Sequence, residues 1–522
     1  MTSKMFFLMR VVVVLFLIFG SLQAFAQQEY LTFDEVQFSS SLEKETLARV
    51  LNDEGDLIDG FLIISAEDSS EFAAWKKVYS RKIEELQQRK KPKKIAKDVK
   101  YLYDQLHQEF LTKYMYLAYF DEIFETGVYN CVTAVALYAM AFEACDIPYN
   151  IKETPTHVYI VADPDDSQLL IETTDPVDGF KTFRPGFKEQ FVSQLGVLKL
   201  INENDIAKKG IYGVFDEFYF GGAVLSLKSL VGIQYYNKGI SLYENNDYHG
   251  AWHAFSIAQL FHSNDQINKM LFASIASVVS YSDYSDWNDI ELLPYLERFL
   301  DYDLKQTNIV GEFQKMINYV LIQNNDKETM KMAYEYFMEK SKNEELKKEI
   351  SFNYYNELAI RSYNRANYDQ SFGQFAEAYK AKPGHARVEN MLLEAFKLAY
   401  RYKTPVEGLT RLDTLITNSP ELLENNRVNS LRLNLYLEIM KNKFDSKQAT
   451  KGNSYKALFE EAVAAHPDYR YDEHILGTAY SKAAVYYYKR GYTTKARSII
   501  RTGLKYAPNN YELKSRLRMV SN

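Results

Sequence analysis

From about Gly232 onward the chain reads as helix almost throughout, and three stretches of it repeat one spacing of large and small residues. The first carries Tyr235, Gly239, Tyr248, Ala251, Phe255 and Ala258. The second carries Tyr355, Ala359, Tyr368, Ser371, Phe375, Ala378 and Pro383, and the third Tyr480, Ala484, Gly491, Ala496, Ile500, Gly503 and Pro508. Small residues at fixed positions let two antiparallel helices approach, large ones fill the seam, and the late proline ends the second helix. One such match is weak. Three at matching offsets constrain the fold, because a chain that repeats a helix pair buries its apolar faces by stacking the pairs. The stretches between them, about 267–350 and 387–475, are helical but too degenerate to divide into units.

This pattern resembles the tetratricopeptide repeat, whose period is about 34 residues. The resemblance implies an all-α solenoid over 231–522, with a concave groove that takes a protein or peptide partner.

A chain of 522 residues is too long for one hydrophobic core, so further domains are expected before the array. Charge is well mixed, with 62 basic and 69 acidic residues and a net −7. No concentrated basic face is evident, which argues against nucleic acid as a partner. The 42 tyrosines suit helix-pair packing and interaction surfaces, where a large ring has little rotamer freedom to lose.

The N-terminus has the form of a bacterial-type export signal. Lys4 and Arg10 supply positive charge, Val11 to Phe19 is an unbroken apolar run, and Ala24-Phe25-Ala26 fits the small-x-small cleavage rule. A cut after Ala26 is expected. The apolar run is short for a bilayer span of about 20 residues, and nothing later is apolar enough to cross a membrane. The mature protein is therefore expected in the periplasm or secreted.

In such a compartment the two cysteines draw notice. Cys131 and Cys145 fall in one expected helix, which sets their backbones ~21 Å apart, beyond the ~7 Å reach of a disulfide. A free thiol there is either buried or catalytic. Cys145, in the apolar context Ala141-Phe142-Glu143-Ala144, reads as buried and inert.

Cys131 sits in a more informative block. Gly127-Val128-Tyr129-Asn130 leads into a helix from Cys131 to about Ala144, ended by Asp146-Ile147-Pro148. Three strand-like runs follow: Tyr149 to Glu153, His157 to Ala162, and Leu169 to Thr173, with a turn at 163–167. Upstream, Gly60–Ile64 suggests a short strand. Ser70–Tyr119 is helical apart from the basic run Arg89–Lys94, read with Pro92 as a solvated turn.

Asn130 is a good N-cap, which puts Cys131 in the first turn of its helix. There the helix dipole favours the thiolate form of a cysteine, and open backbone N–H groups can stabilise an oxyanion. His157 opens a strand one β crossing later, within reach of the helix tip as general base and acid. Two acids compete to orient it, Glu172 and Asp175. In a regular hairpin they point to opposite faces, so strand register decides between them.

The motifs Tyr129-Asn130-Cys131-Val132-Thr133-Ala134, Asp146-Ile147-Pro148-Tyr149, Thr156-His157-Val158-Tyr159 and Ile171-Glu172-Thr173-Thr174-Asp175-Pro176 resemble the transglutaminase-like core. The resemblance spans roughly 95–180 and implies an α+β, papain-like domain with a Cys–His–acid triad of Cys131, His157 and Glu172 or Asp175. The expected organisation is therefore a signal peptide (1–26), a transglutaminase-like domain (27–230) and the repeat array (231–522).

His249 and His253 are four apart on one repeat helix, a spacing that suits a metal, but no third ligand is evident. Nor does the sequence hold a phosphate-cradling glycine loop or a nucleotide fingerprint, so no metal or cofactor is expected. The leading functional expectation is a thiol enzyme, hydrolase or acyltransferase, acting on an amide or peptide. The alternative is a non-catalytic cell-envelope scaffold that keeps the fold as a structural module.

Overall fold

The computed structural model describes residues 30–521 apart from 67, 90–93, 155–156, 176–178, 198–200 and 202. The expected leader with its cut after Ala26, Lys90–Lys93 of the basic run, Thr156 and Pro176 lie outside the described residues. The chain forms two compact units: one runs to Ser282 and takes in 301–303, and the other holds 283–300 and 304 onward.

In the first unit, helices α1 (Ser41–Leu51), α2 (Leu57–Leu62), α3 (Ser69–Gln88) and α4 (Ile95–Phe110) come first. They precede a two-stranded parallel ladder of β1 (Lys113–Tyr114) and β2 (Val128–Tyr129), with α5 (Glu122–Glu125) between its strands. The run Gly60–Ile64, expected as a strand, belongs to the end of α2 and the turn after it. Asp56 caps that helix by accepting the Ile58 N–H, and Phe61 and Leu62 are fully buried. A continuous apolar run reads the same for a buried helix as for a buried strand, which is why the sequence misleads here. Arg89 also departs from expectation. It is no solvated turn residue: its guanidinium pairs with Asp98 at 2.7 Å, both side chains nearly buried, and donates to Cys145 Sγ at 3.4 Å.

Helix α6 (Cys131–Ala144) is the hub of this unit. Val132 to Phe142 are buried without a break, the fate of a helix that is apolar all round. Tyr138, fully enclosed, satisfies its hydroxyl by donating to the Tyr103 carbonyl at 3.0 Å. The helix packs against β3 (Tyr149–Thr154) and β4 (His157–Ala162). These strands belong to an antiparallel sheet of order β6–β5–β4–β3–β7, completed by β5 (Leu169–Ile171), β6 (Phe180–Lys181) and β7 (Val224–Leu225). Register pairs Thr154 with His157 at the closed end of the β3–β4 hairpin. Tyr159 and Val161 pack with Val192, Phe215 and Phe220 of α7 (Pro185–Val197) and α8 (Glu203–Phe220).

Helices α9 (Leu227–Glu244), α10 (Tyr248–Phe261) and α11 (Asp265–Tyr281) close the first unit. The hairpin that the sequence places at the head of the array is thus built into the unit that holds Cys131. Helix α9 packs on α6 and α2. Buried polar bonds tie the hairpin down. Gln234 donates to the Phe61 carbonyl at 2.9 Å, Lys238 to the Ile64 carbonyl at 3.2 Å, and Leu31 N–H to Gln259 Oε1 at 2.9 Å.

Glu43 of α1, 3% exposed, makes the densest knot. It accepts from the Ser39 N–H and hydroxyl at 2.6 Å and from Tyr235 at 2.8 Å, and His253 lies 3.2 Å away. Burial pushes the Glu43 pKa up, but the nearby His253, with the Ser39 bonds, outweighs it and holds the group at about 2. His253, one of the two histidines at metal-binding spacing, is therefore committed to a carboxylate.

The second unit contains α12 (Trp287–Leu292), α13 (Gln306–Met316), α14 (Lys327–Lys340), α15 (Glu344–Asn364), α16 (Tyr368–Ala381), α17 (Ala386–Tyr400) and α18 (Pro405–Asn418). It continues with α19 (Asn426–Asp445), α20 (Ala449–Ala465), α21 (Glu473–Tyr488), α22 (Thr493–Tyr506) and α23 (Tyr511–Ser521). One apolar cluster gathers around Phe375, Leu392 and Leu412, and another around Leu437, Phe459, Tyr480 and Ile500.

Four helix pairs of the chain, α9/α10, α15/α16, α19/α20 and α21/α22, turn in one way. A single left-handed residue follows the first helix: Asn246, Ala366, Lys447 or Gly491. The next N–H then reaches back five residues: Asp247 to Leu242, Asn367 to Ser362, Gln448 to Lys443, and Tyr492 to Tyr487, at 2.8 to 3.0 Å. This is the Schellman closure of a helix C-terminus, which also ends α1 (Glu54 to Arg49) and α6 (Ile147 to Phe142); in the four pairs it comes together with the small-residue spacing of a helical repeat. The small residues do what the pattern requires. A Cβ on Gly239 would lie 2.6 Å from the Phe255 ring, and one on Gly503 would lie 3.0 Å from Tyr480 Cβ. No helix among the described residues is long and apolar enough to cross a membrane.

Candidate functional site

The start of α6 is fixed by a reciprocal cap. Asn130 Oδ1 accepts the Thr133 N–H at 3.0 Å, and Thr133 Oγ1 accepts the Asn130 N–H at 3.0 Å. The other end of the Asn130 side chain donates to the Tyr116 and Ala118 carbonyls at 3.2 Å, pinning the preceding loop to the helix tip. Cys131 is thereby held at the first helical position, half-buried. Its own N–H and that of Val132 have no acceptor within the helix, as at any helix start. Neither Cys131 nor Cys145 forms a disulfide.

His157 comes from the first position of β4, where Thr154 Oγ1 bonds the His157 carbonyl at 3.1 Å. Its Nε2 lies 2.9 and 2.8 Å from the two oxygens of Glu172. With Nε2 taken, Nδ1 is the nitrogen left to interact with Cys131. Burial works against the imidazolium. The bond to Cys131 and the bond and charge of Glu172 outweigh it, and raise the His157 pKa from 6.5 to about 10.

Glu172 is not a strand residue. β5 stops at Ile171, short of the Thr173 expected, so the turn rather than strand register chooses between the two acids. Its backbone N–H donates to the Gly179 carbonyl at 2.7 Å. Gly179 has no room for a side chain, since a Cβ there would meet the carbonyls of Glu172 and Asp175 at 2.2 and 2.3 Å. The carboxylate accepts the Thr174 hydroxyl at 2.7 Å and its N–H at 3.3 Å. Burial pushes the Glu172 pKa up, but His157 and Thr174 together bring it below the usual carboxylate value.

Asp175 takes another place. Its backbone carbonyl accepts the Tyr103 hydroxyl at 2.5 Å, and its charge acts on Tyr103, His107 and Tyr129. Of the four residues singled out in the sequence, the fold brings Cys131, His157 and Glu172 together and leaves Asp175 beside them.

Cys131 and His157 open into a cleft of about 230 Å³. One side is the sheet end, with Glu153 and Thr154, and the end of β1 with the loop after it, carrying Tyr114 and Tyr116. The opposite side is the first helical hairpin and α11, which present Tyr236, Asn237, Asn264 and Gln266. Sequence reasoning missed this wall. Its residues sit on the solvent-side positions of helices whose small-residue pattern reports only the seam. Asn264 alone left a local signal, as the N-cap of α11. Among the described residues no group of three or more metal-ligating side chains occurs.

No protein-family model matches the chain, and no curated protein matches it. Among solved structures, one match is the tetratricopeptide repeat domain of P58(IPK), 10% identical, covering 81% of this chain and 97% of that one, with a TM-score of 0.17. The helical repeat in this chain rests on its own recurring turns and small-residue seams.

Proposed function

We propose that the chain is an interaction protein whose helical repeats hold a protein or peptide, and that Cys131, His157 and Glu172 make it a thiol enzyme acting by acyl transfer on an amide. The observation that supports the chemistry is the arrangement itself: a cysteine at a capped helix start, sharing a cleft with a histidine whose Nε2 rests on a carboxylate. The quoted resemblance to the transglutaminase-like core points the same way.

In this reading Cys131 gives its proton to His157 and attacks the amide carbon, forming a carbon–sulfur bond as the carbonyl electrons move to oxygen. The N–H groups of Cys131 and Val132 face that oxyanion. Collapse breaks the carbon–nitrogen bond, and the leaving amine takes the proton from the imidazolium. Water, or an amine, then attacks the thioester with His157 as base, giving an acid or a new amide and restoring the thiol. Glu172 holds the ring and offsets its charge. The export-like N-terminal sequence supports an activity outside the cytoplasm.

The experiment is to incubate the protein with a mixture of peptide amides, quench in acid and read intact masses. An acyl adduct on Cys131, absent from Cys131→Ser, supports the enzyme. Absence of any adduct across a broad peptide set favours the second reading, a non-catalytic scaffold. That reading draws on the large share of the chain given to helical pairs.

A further inference from the structure

The helical repeats and the thiol site are not separate devices in the first unit, because α9 and α11 form one side of the cleft. Tyr236 sits on α9 and Gln266 on α11, and Gln266 Nε2 donates to the Tyr236 hydroxyl at 2.7 Å, closing the wall across two helices. Asn237, next along α9, and Asn264, at the head of α11, add two more carboxamides. The wall is anchored to the catalytic sheet. His262, at the end of α10, donates from Nε2 to Glu153 Oε2 at 3.0 Å, and Glu153 precedes the Thr154 that pairs with His157.

The charges of the cleft are lopsided. Its lining includes Glu153 and His157 but neither lysine nor arginine, and Glu172 stands behind His157. The one cation facing the cleft is the His157 imidazolium, whose charge Glu172 already offsets, so an anionic group entering here would meet Glu153 and neutral dipoles with no unpaired cation to receive it. Tyrosine hydroxyls and carboxamides both donate and accept, which matches a peptide backbone or another uncharged amide.

We propose that this wall selects the acyl donor: Tyr236, Asn237 and Gln266 of the first helical hairpin and α11 admit an uncharged, peptide-like group to Cys131 and reject an anionic one. The proposal rests on the thiol-site reading but is tested apart from it. Two alkylating agents of nearly equal size, neutral iodoacetamide and anionic iodoacetate, report the selection as a ratio of rates at Cys131. That ratio is measurable whether the thiol is fast or slow.

In the full chain, iodoacetamide is expected to outpace iodoacetate by a larger factor than at a small free thiol. Gln266→Lys, at an exposed position, is expected to raise the relative rate of iodoacetate about three-fold or more, and Gln266→Glu to lower it, both with unchanged thermal unfolding. Asn237→Lys should act like Gln266→Lys. If the ratio stays fixed when the charge at 266 and at 237 is changed, the wall does not face the reacting atom and the proposal is overturned. Loss of activation would show elsewhere, as a slow absolute rate indifferent to His157.

Discussion

The first helical hairpin and the three in the second unit share a turn and a seam of small residues (glycine in three pairs, Ala359 and Ser371 in α15/α16), yet they are held in place differently. In the second unit the pairs close over apolar clusters, and charged contacts such as Lys382–Glu349 at 2.7 Å stay exposed. The second unit does bury a few polar groups (Ser371, Asn429 and the Tyr480–Glu460 bond at 2.8 Å), but the first hairpin buries the amides of Gln234 and Gln259, His262 and the Glu43–Tyr235–His253 knot, whose carboxylate is itself 3% exposed. A stacked pair needs only apolar complementarity, which tolerates drift. A pair that forms one side of a chemical site must sit in one position, and buried hydrogen bonds that are costly to leave unmade are one way to enforce that.

This contrast can be broken at several points. Glu43→Ala leaves Tyr235 and His253 without their carboxylate, and is expected to destabilise the first unit by about 3–5 kcal/mol in urea unfolding. Lys382→Ala in the second unit should cost less than about 1 kcal/mol, because that pair is solvated. Equal losses would erase the distinction.

Gly239→Ala and Gly503→Ala test what the two regions share. Each drives a methyl into a ring or its stem, and each is expected to cost about 1–3 kcal/mol. A neutral result at either position would remove that glycine from the seam.

Acid separates the regions again. Glu43 has a folded pKa of about 2 against 4.5 unfolded, so its contribution is complete above about pH 4.5 and is lost as pH falls towards 2. Glu43→Gln should flatten that decline when stability is followed by urea titration at each pH. The relay has the opposite sign. His157 titrates at about 10 when folded and 6.5 when unfolded, so its contribution is complete below about 6.5 and fades as pH rises through 10. The smallest expected effect is that of Thr174→Val, which removes one bond to Glu172 and should slow Cys131 alkylation a few-fold without altering stability by more than about 1 kcal/mol.

Much of this was readable in the sequence because the signals were local. Helix α6 begins at Cys131 and ends at Ala144, as its cap and apolar run require, and β3 and β4 fall where alternation places them. Three of the four helical hairpins announced themselves through small residues at fixed offsets. The fourth, α19/α20, did not, although its Gly452 lies against the Phe444 ring as Gly239 lies against Phe255. The expected strand at Gly60–Ile64 failed because a buried helix and a buried strand share one composition. Tyr236, Asn237 and Gln266 were invisible for another reason. Their role comes from packing a hairpin against a sheet distant in sequence, and no local pattern encodes that. The choice of Glu172 over Asp175 hung on a turn closed by Gly179, beyond the end of a strand that ran two residues shorter than its sequence suggested.

The central claim is that Cys131, His157 and Glu172 act as one unit. The measurement is the iodoacetamide rate at Cys131 in the intact protein, His157→Ala, Glu172→Gln and the double variant, between pH 6 and pH 10. The account predicts a large loss in His157→Ala, a smaller loss in Glu172→Gln, and no further loss when Glu172→Gln is added to His157→Ala. The gap between wild type and His157→Ala should close as pH passes about 10. Equal, slow rates in all four proteins would contradict the account and leave the chain a scaffold with an idle thiol.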